Sequence, residues 1–325
     1  MALTAFSSSN ARSIATINYV DGLASIPDHW RRVADFRTDQ SGALRMTSMA
    51  SLGEVASWDG SADLSATASA AGASGTKDIA IAQYGSMVTV GRLDAEIIPN
   101  LVADMARRMG IAVANTYAKQ VYTTLEGGLV GGTVTTGLPT PKTLFATDHT
   151  VPGTPSGGPT TRSNYITSAL DAAGVAAAVK SARAWVDSTG APYDLVAGGF
   201  TLVVPPDLEE AAMAAVGSTY TLTSVTTTVG SASDTSSAAS PSQGLNNMVG
   251  QYMGLADIVV APWLTDTNAW YLLPKLENCL VAWQRLPPVL RITEDADTLA
   301  RKLVVDFALA VDAKPEPIGI AGNPS

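Results

Sequence analysis

The segment from Phe36 to about Ala82 constrains the fold most, because it has an extended pattern but too few apolar side chains to form a core of its own. Residues 45–49 and 52–58 alternate with a period of two, as half-exposed strands do. Residues 61–76 are almost entirely Ser, Ala, Gly and Thr. An isolated two-stranded hairpin is marginally stable in water. We therefore expect this segment, called the tongue below, to be stabilised by adjoining copies of the chain.

The residues that usually carry catalysis are scarce in this sequence. It contains two histidines, His29 and His149, and neither has further ligands at metal-binding spacing. Asp148 next to His149 is a candidate acid–base pair, but adjacent residues on a loop usually point apart. Cys279 lies among apolar neighbours, which predicts a buried, inert thiol. We predict no catalytic residues, no metal and no cofactor.

Charge and hydropathy narrow the classes of partner. The chain has 20 basic and 29 acidic residues and a formal charge of -9, so its bulk surface is not expected to bind nucleic acid tightly. No apolar run approaches the roughly 20 residues that cross a bilayer. The first residues lack the basic region of a secretory signal, and we expect synthesis in a cytoplasm without a membrane association.

The clearest single element is a long helix predicted over residues 94–126. Apolar residues recur along one side at helical spacing, from Ile98 through Met109 and Tyr117 to Leu125. Pro99 is acceptable if it lies within the first turns, and Gly127 ends the pattern.

The remaining patterns predict an N-terminal arm and a mixed α/β region. Residues 1–20 are weakly patterned and suggest an arm that needs a neighbour to hold it, followed by a short helix near 28–36. Further helices are predicted over 166–188 and 208–216. Strands are predicted over 201–204, 255–260, 269–273, 279–283, 289–292 and 303–311.

This order of parts resembles the major capsid proteins of tailed bacteriophages, which have the HK97-type fold. The more specific resemblance is to the Mu-type major head subunit. It rests on Leu144-Phe145-Ala146-Thr147-Asp148-His149, on residues 202–209, and on residues 259–264 followed by 270–273.

The resemblance implies an α+β chain with a particular division into parts. These are an N-terminal arm (1–35), an extended E-loop hairpin (36–85), a peripheral domain with a long spine helix (86–165 and 276–312, spine helix 94–126), an axial α/β domain (166–275) and a C-terminal tail (313–325).

The resemblance also implies a role in a virion. The chain would self-assemble into hexamers and pentamers of an icosahedral shell, formed in the bacterial host cytoplasm, that encloses double-stranded DNA without sequence specificity. Portal and scaffold proteins would be partners, with a decoration protein as a further candidate. The alternatives are an encapsulin-like nanocompartment and, less favoured, an α/β enzyme.

Five residues in or beside the tongue are expected to contact neighbouring subunits. Trp58 would be an apolar anchor, with Met46, Met49, Arg45 and Arg37 as further contacts. Lys77 lies where some family members carry a cross-linking lysine. Nothing around it in the sequence marks an activated lysine, so we favour a solvated charge.

Overall fold

The computed structural model describes residues 8–38, 45–49, 73–98, 100–137, 141–150, 161–185, 198–217, 257–275, 277–294, 300–315 and 318–324. Trp58, the strand predicted over 52–58 and the Ser/Thr-rich run 218–240 lie outside these residues. In chain order the helices and strands are α1 (Ser8–Ala24), β1 (Ala34–Thr38), β2 (Arg45–Met49), β3 (Ala73–Asp78), β4 (Ala82–Val90), α2 (Arg92–Ile97), α3 (Leu101–Glu126), β5 (His149–Thr150), β6 (Thr161–Arg162), β7 (Tyr165–Ile166), α4 (Ala172–Arg183), β8 (Phe200–Val204), α5 (Glu209–Ala212), β9 (Asp257–Val260), β10 (Trp270–Pro274), β11 (Leu280–Glu294), β12 (Arg301–Ala313) and β13 (Ile320–Gly322).

A four-stranded sheet in the order β1-β11-β12-β4 forms the first half of the architecture. Its long pair, β11 with β12, is antiparallel, and β1 joins β11 in parallel. Leu303, Val305 and Phe307 alternate along β12 on the side that packs against α3, and all three are buried. We call that side the inner face and the opposite side the outer face.

The two strands predicted over 279–283 and 289–292 form one strand, β11. Its pairing with β12 is irregular between these two ranges. Its register against β12 shifts between Gln284 and Leu286 and again between Leu286 and Val289. Pro287 and Pro288 lie at the second shift, and because proline has no N–H to donate, it is tolerated in a sheet at such bulges.

Helix α3 confirms the predicted apolar face but not the predicted start. Met109, Val113, Tyr117, Val121 and Leu125 are buried at helical spacing, and Tyr117 stacks on Phe307 of the inner face with ring centroids 5.2 Å apart. The prediction of one helix over 94–126 was wrong, because α2 and α3 are separated at residues 98–100.

The separation follows from proline chemistry. Ile98 has an extended backbone (φ -102°, ψ 105°), as expected of a residue that precedes a proline. Asn100 then takes a left-handed conformation with φ 65°, which asparagine tolerates better than most residues.

Helix α1 was not predicted. Residues predicted as a weakly patterned arm form a helix that packs along α3 of the same chain, with Ala15 and Tyr19 buried. The two helices approach closely where glycines meet backbone: a Cβ on Gly22 would lie 2.2 Å from the Arg107 carbonyl oxygen, and one on Gly110 would lie 2.3 Å from that of Tyr19. The short helix predicted over 28–36 is a 3-10 turn at His29–Arg32 followed by β1.

A five-stranded sheet in the order β7-β13-β10-β8-β9 forms the second half. All five residues of β8 and of β10 are buried. The helix predicted over 166–188 is shorter, because Tyr165–Ile166 forms β7 and α4 spans Ala172–Arg183, beginning at Asp171, whose carboxylate accepts the Gly174 N–H. Ile320–Gly322, within the predicted tail, is a strand between β7 and β10.

Glu126, the last residue of α3, connects the helix to the second sheet. Its carboxylate accepts hydrogen bonds from the Thr265 hydroxyl at 2.7 Å and from the Asp266 backbone N–H at 2.7 Å. These bonds join the end of α3 to the loop that precedes β10.

Candidate assembly surface

The base of the tongue packs on the outer face of the four-stranded sheet of its own chain. Strands β2 and β3 pair in antiparallel fashion, as the hairpin prediction requires. Met46 and Ile79 are buried against Val281, Trp283 and Ala310, which point away from α3.

We call Val281, Trp283, Ala310 and Asp312, which lie on this side of the sheet under the tongue, the covered half of the outer face. Packing of the tongue base on the covered half removes several large apolar groups from water. Each such side chain contributes roughly 1.5–3 kcal/mol when fully buried.

Lys77 adds a polar contact at the covered half. Its Nζ donates to Asp312 Oδ1 at 2.5 Å and to the Thr135 carbonyl oxygen at 2.5 Å. The Lys77 side chain is 13% exposed and that of Asp312 is 20% exposed. The expectation of a solvated charge was therefore wrong: the acid that pairs with Lys77 is distant in the sequence but adjacent in the fold. This pair fixes β3 to β12.

A second lysine anchors the opposite edge of the same sheet. Lys314 Nζ lies 2.6 Å from Asp35 Oδ2 and 3.6 Å from Glu277 Oε1. The Asn278 side-chain amide donates to the other Asp35 oxygen at 3.0 Å. Residues just outside β11 and β12 thereby hold β1, the strand that leads into the tongue.

The residues that were predicted to contact neighbouring subunits differ in burial and in their partners within the chain. Met46 is buried within its own chain. Arg45 is exposed and its Nε donates to Asp78 Oδ1 at 2.6 Å, which lowers the pKa of the Asp78 carboxyl. Arg37 is exposed near the end of β1.

The backbone of Met49 pairs with Ala73, and its side chain, like all of Trp58, lies outside the described residues. Inter-subunit contact by Arg37, Arg45, Met46, Met49 and Trp58 stays a prediction.

The candidate acid–base pair is not assembled. His149 is buried, its Nε2 lies 3.1 Å from the Leu144 carbonyl oxygen, and the Asn164 amide donates to the same oxygen at 2.8 Å. Burial, with a smaller contribution from Arg162, lowers the pKa of His149 to about 4. Asp148 is exposed and pairs with Lys142 at 2.6 Å. The imidazole therefore has a structural role, holding β5 to the preceding segment at Leu144.

The other candidate groups also occupy structural positions. Cys279 is buried, as predicted, and burial raises the pKa of its thiol to about 12. Among the described residues, no group of three or more His, Cys, Asp or Glu side chains could hold a metal ion. None of the helices in the described ranges is long and apolar enough to cross a membrane.

Comparison with known proteins decides the family. A family model described as phage capsid protein matches residues 73–323, which is most of the chain. The chain belongs to the phage capsid protein family. No match was found among curated proteins. Membership implies a structural component of the virion, a role that favours a structural protein over an enzyme.

Solved structures show the fold of this capsid protein. The capsid of Ralstonia phage GP4 is similar with a TM-score of 0.53 and 11% identity, over 89% of this chain and 85% of that one. A virus-like particle from Pyrococcus furiosus is similar with a TM-score of 0.50 and 10% identity, over 96% of this chain and 98% of that one. The α+β fold is the HK97-type capsid fold, as the sequence predicted.

Proposed function

We propose that this capsid protein forms hexamers and pentamers that close into an icosahedral shell around double-stranded DNA. The family match over residues 73–323 is the observation that carries the proposal. Repeated heterologous contacts around five-fold and six-fold axes close into rings, and rings of both kinds can close into a shell.

We further propose the division into parts given by the sequence: arm 1–35, E-loop 36–85, peripheral domain 86–165 with 276–312, axial domain 166–275 and tail 313–325. The base of the tongue supports this division, because apolar and ionic contacts hold this part of the E-loop on the four-stranded sheet. The motifs at 144–149, at 202–209 and at 259–264 followed by 270–273 support the Mu type as the subfamily.

Packaged DNA would face a surface with few basic groups. The net charge of -9 opposes tight binding by the bulk surface, while Arg107, Arg108 and Lys119 are exposed along α3. A few cations are enough to limit repulsion of the phosphates without sequence specificity. A portal, a separate scaffold and a decoration protein are the further partners we propose, with assembly in the host cytoplasm.

Electron microscopy of the purified full-length chain tests the shell. We expect polyhedral particles on concentration, and nuclease-resistant double-stranded DNA in particles formed during infection. Particles that enclose protein and never DNA would support the encapsulin-like alternative, which the family match makes less favoured. A chain that stays a single protomer under all assembly conditions, including coexpression with neighbouring phage genes, would contradict the proposal. Uniform shells from the chain expressed alone would contradict the separate scaffold.

A further inference from the structure

The outer face of the four-stranded sheet continues past the covered half toward the far end of β11 and β12. Arg291, Val304 and Met87 lie opposite one another across three strands, and Val289 lies opposite Asp306 in the next row. Directly opposed residues of antiparallel strands share a face, and Val305 and Phe307 between them point inward, so both rows point outward. We call these five residues the open half.

The open half combines exposed apolar groups with charge. Met87 is 64% exposed and Val289 is 49% exposed, although both belong to well-paired strands. Large apolar side chains that cluster on an exposed face mark interaction sites more often than solitary ones do.

Asp306 carries the second observation. Its Oδ1 atom is shielded from solvent and has no hydrogen-bond partner among the described residues. The nearest cation, Arg291, is mostly exposed, and its Nη2 lies 3.7 Å away, which is beyond hydrogen-bond distance. A buried polar atom without a partner costs free energy, so this oxygen needs a donor from outside.

The covered half shows which groups of this chain pack on the outer face. There, Met46 and Ile79 cover the apolar residues, and Lys77 donates to the carboxylate of Asp312. The open half repeats that chemistry on the same strand, with a carboxylate beside apolar side chains, but Asp306 Oδ1 has no hydrogen-bond donor among the described residues.

We infer that a second copy of this chain docks on the open half, laying apolar side chains over Met87 and Val289 and donating a hydrogen bond to Asp306. The inference rests on the proposed function and names the receiving surface of the shell contact. Nucleic acid does not fit, because the open half offers phosphates a single cation, Arg291, which lies beside the Asp306 carboxylate and apolar groups. A second copy fits, because the open half continues a surface that segments of this chain already cover.

Thiol labelling of particles tests the inference. Val289→Cys and, separately, Met87→Cys are compared with Val130→Cys, whose parent side chain is 57% exposed on the loop after α3. The native Cys279 is buried and does not react in the folded chain. We expect a maleimide dye to react about tenfold or more slowly at positions 289 and 87 in particles than in the dissociated chain, because an interface core excludes water. The Val130→Cys thiol should react at similar rates in both.

The outcomes are distinct. Particles that contain only this chain can protect the thiol only through another copy. Particles in which the Val289→Cys and Met87→Cys thiols react as fast as in the dissociated chain would overturn the inference and leave the shell intact, as expected if another protein or solvent covers this face. Equal slowing at all three positions would indicate shielding by the particle as a whole and would also overturn it. A wild-type chain that forms no particles would overturn the proposed function, and the inference with it.

Discussion

The covered half and the open half of the outer face are built from the same strands, but the chain's own hairpin buries the apolar side chains of the covered half only. Over the covered half, Met46 and Ile79 exclude water, and Lys77 pairs with Asp312. Over the open half, Met87 remains exposed and Asp306 retains an oxygen to which no described residue donates a hydrogen bond.

The difference separates folding from assembly on a single surface. Burial on the covered half contributes to the stability of the protomer, whereas burial on the open half becomes available only when copies meet. Substitutions in the two halves should therefore act on different measurements.

The largest contrast is expected between two methionines. Met46→Ala should destabilise the tongue base by about 2–4 kcal/mol, because it removes a buried side chain and leaves a cavity. Hydrogen exchange of the β2 and β3 amides measures this locally. Met87→Ala in the open half is the matched control, and it should leave the exchange and the thermal midpoint of the protomer unchanged. Equal effects of the two substitutions would remove the distinction between the halves.

A smaller effect is expected from the ionic contact of the covered half. Lys77→Met keeps the aliphatic stem but leaves the partly buried Asp312 carboxylate without its cation, at a cost of about 2 kcal/mol. Arg45→Met is the control, since the Arg45–Asp78 pair is exposed and such pairs contribute little. Urea unfolding of both variants, with exchange at β3, provides the measurement. A larger loss from Arg45→Met would contradict the assignment of Lys77 as the anchor.

The smallest effect concerns acid, which should lower the stability of the protomer without distinguishing the two halves. Because burial lowers the pKa of His149 from 6.5 to about 4, the unfolded chain binds the proton first as pH falls. The stability contributed by neutral His149 is present above pH 6.5 and is lost progressively down to about pH 4. Between pH 7 and 5.5 the loss is about 1 kcal/mol.

His149→Gln isolates that contribution. Glutamine can still donate to the Leu144 carbonyl oxygen but does not titrate, so its urea midpoint should fall less between pH 7 and 5.5 than that of the wild type. The same pH dependence in both proteins would assign the acid sensitivity to other groups. The contrast between Met46→Ala and Met87→Ala should persist at both pH values.

Features set by local spacing could be predicted from the sequence. The apolar side of α3 recurs at every third or fourth residue, and the antiparallel strands β11 and β12 alternate around buried residues such as Leu303 and Val305. The order of these elements and the short motifs carry the resemblance that implied the HK97-type fold.

Features that depend on distant residues could not be predicted. Lys77 and Asp312 are 235 positions apart, so no local pattern marks them as partners. Helix α1 was missed because Gly22 and Gly110 let it approach α3 closely, and such a contact leaves little apolar periodicity in the sequence. The orphan oxygen of Asp306 likewise becomes visible only when the neighbouring strands are in place.

Pro287 and Pro288 lie in β11 between the covered half and the open half, at the point where its register against β12 shifts. A strand interrupted in this way resists sliding along its neighbour, because any slip would bring a residue that lacks an N–H opposite a carbonyl that needs one. The diproline thus fixes the alignment of β11 with β12, so that Val281 and Trp283 on one side of it and Val289 and Arg291 on the other keep their places on the outer face.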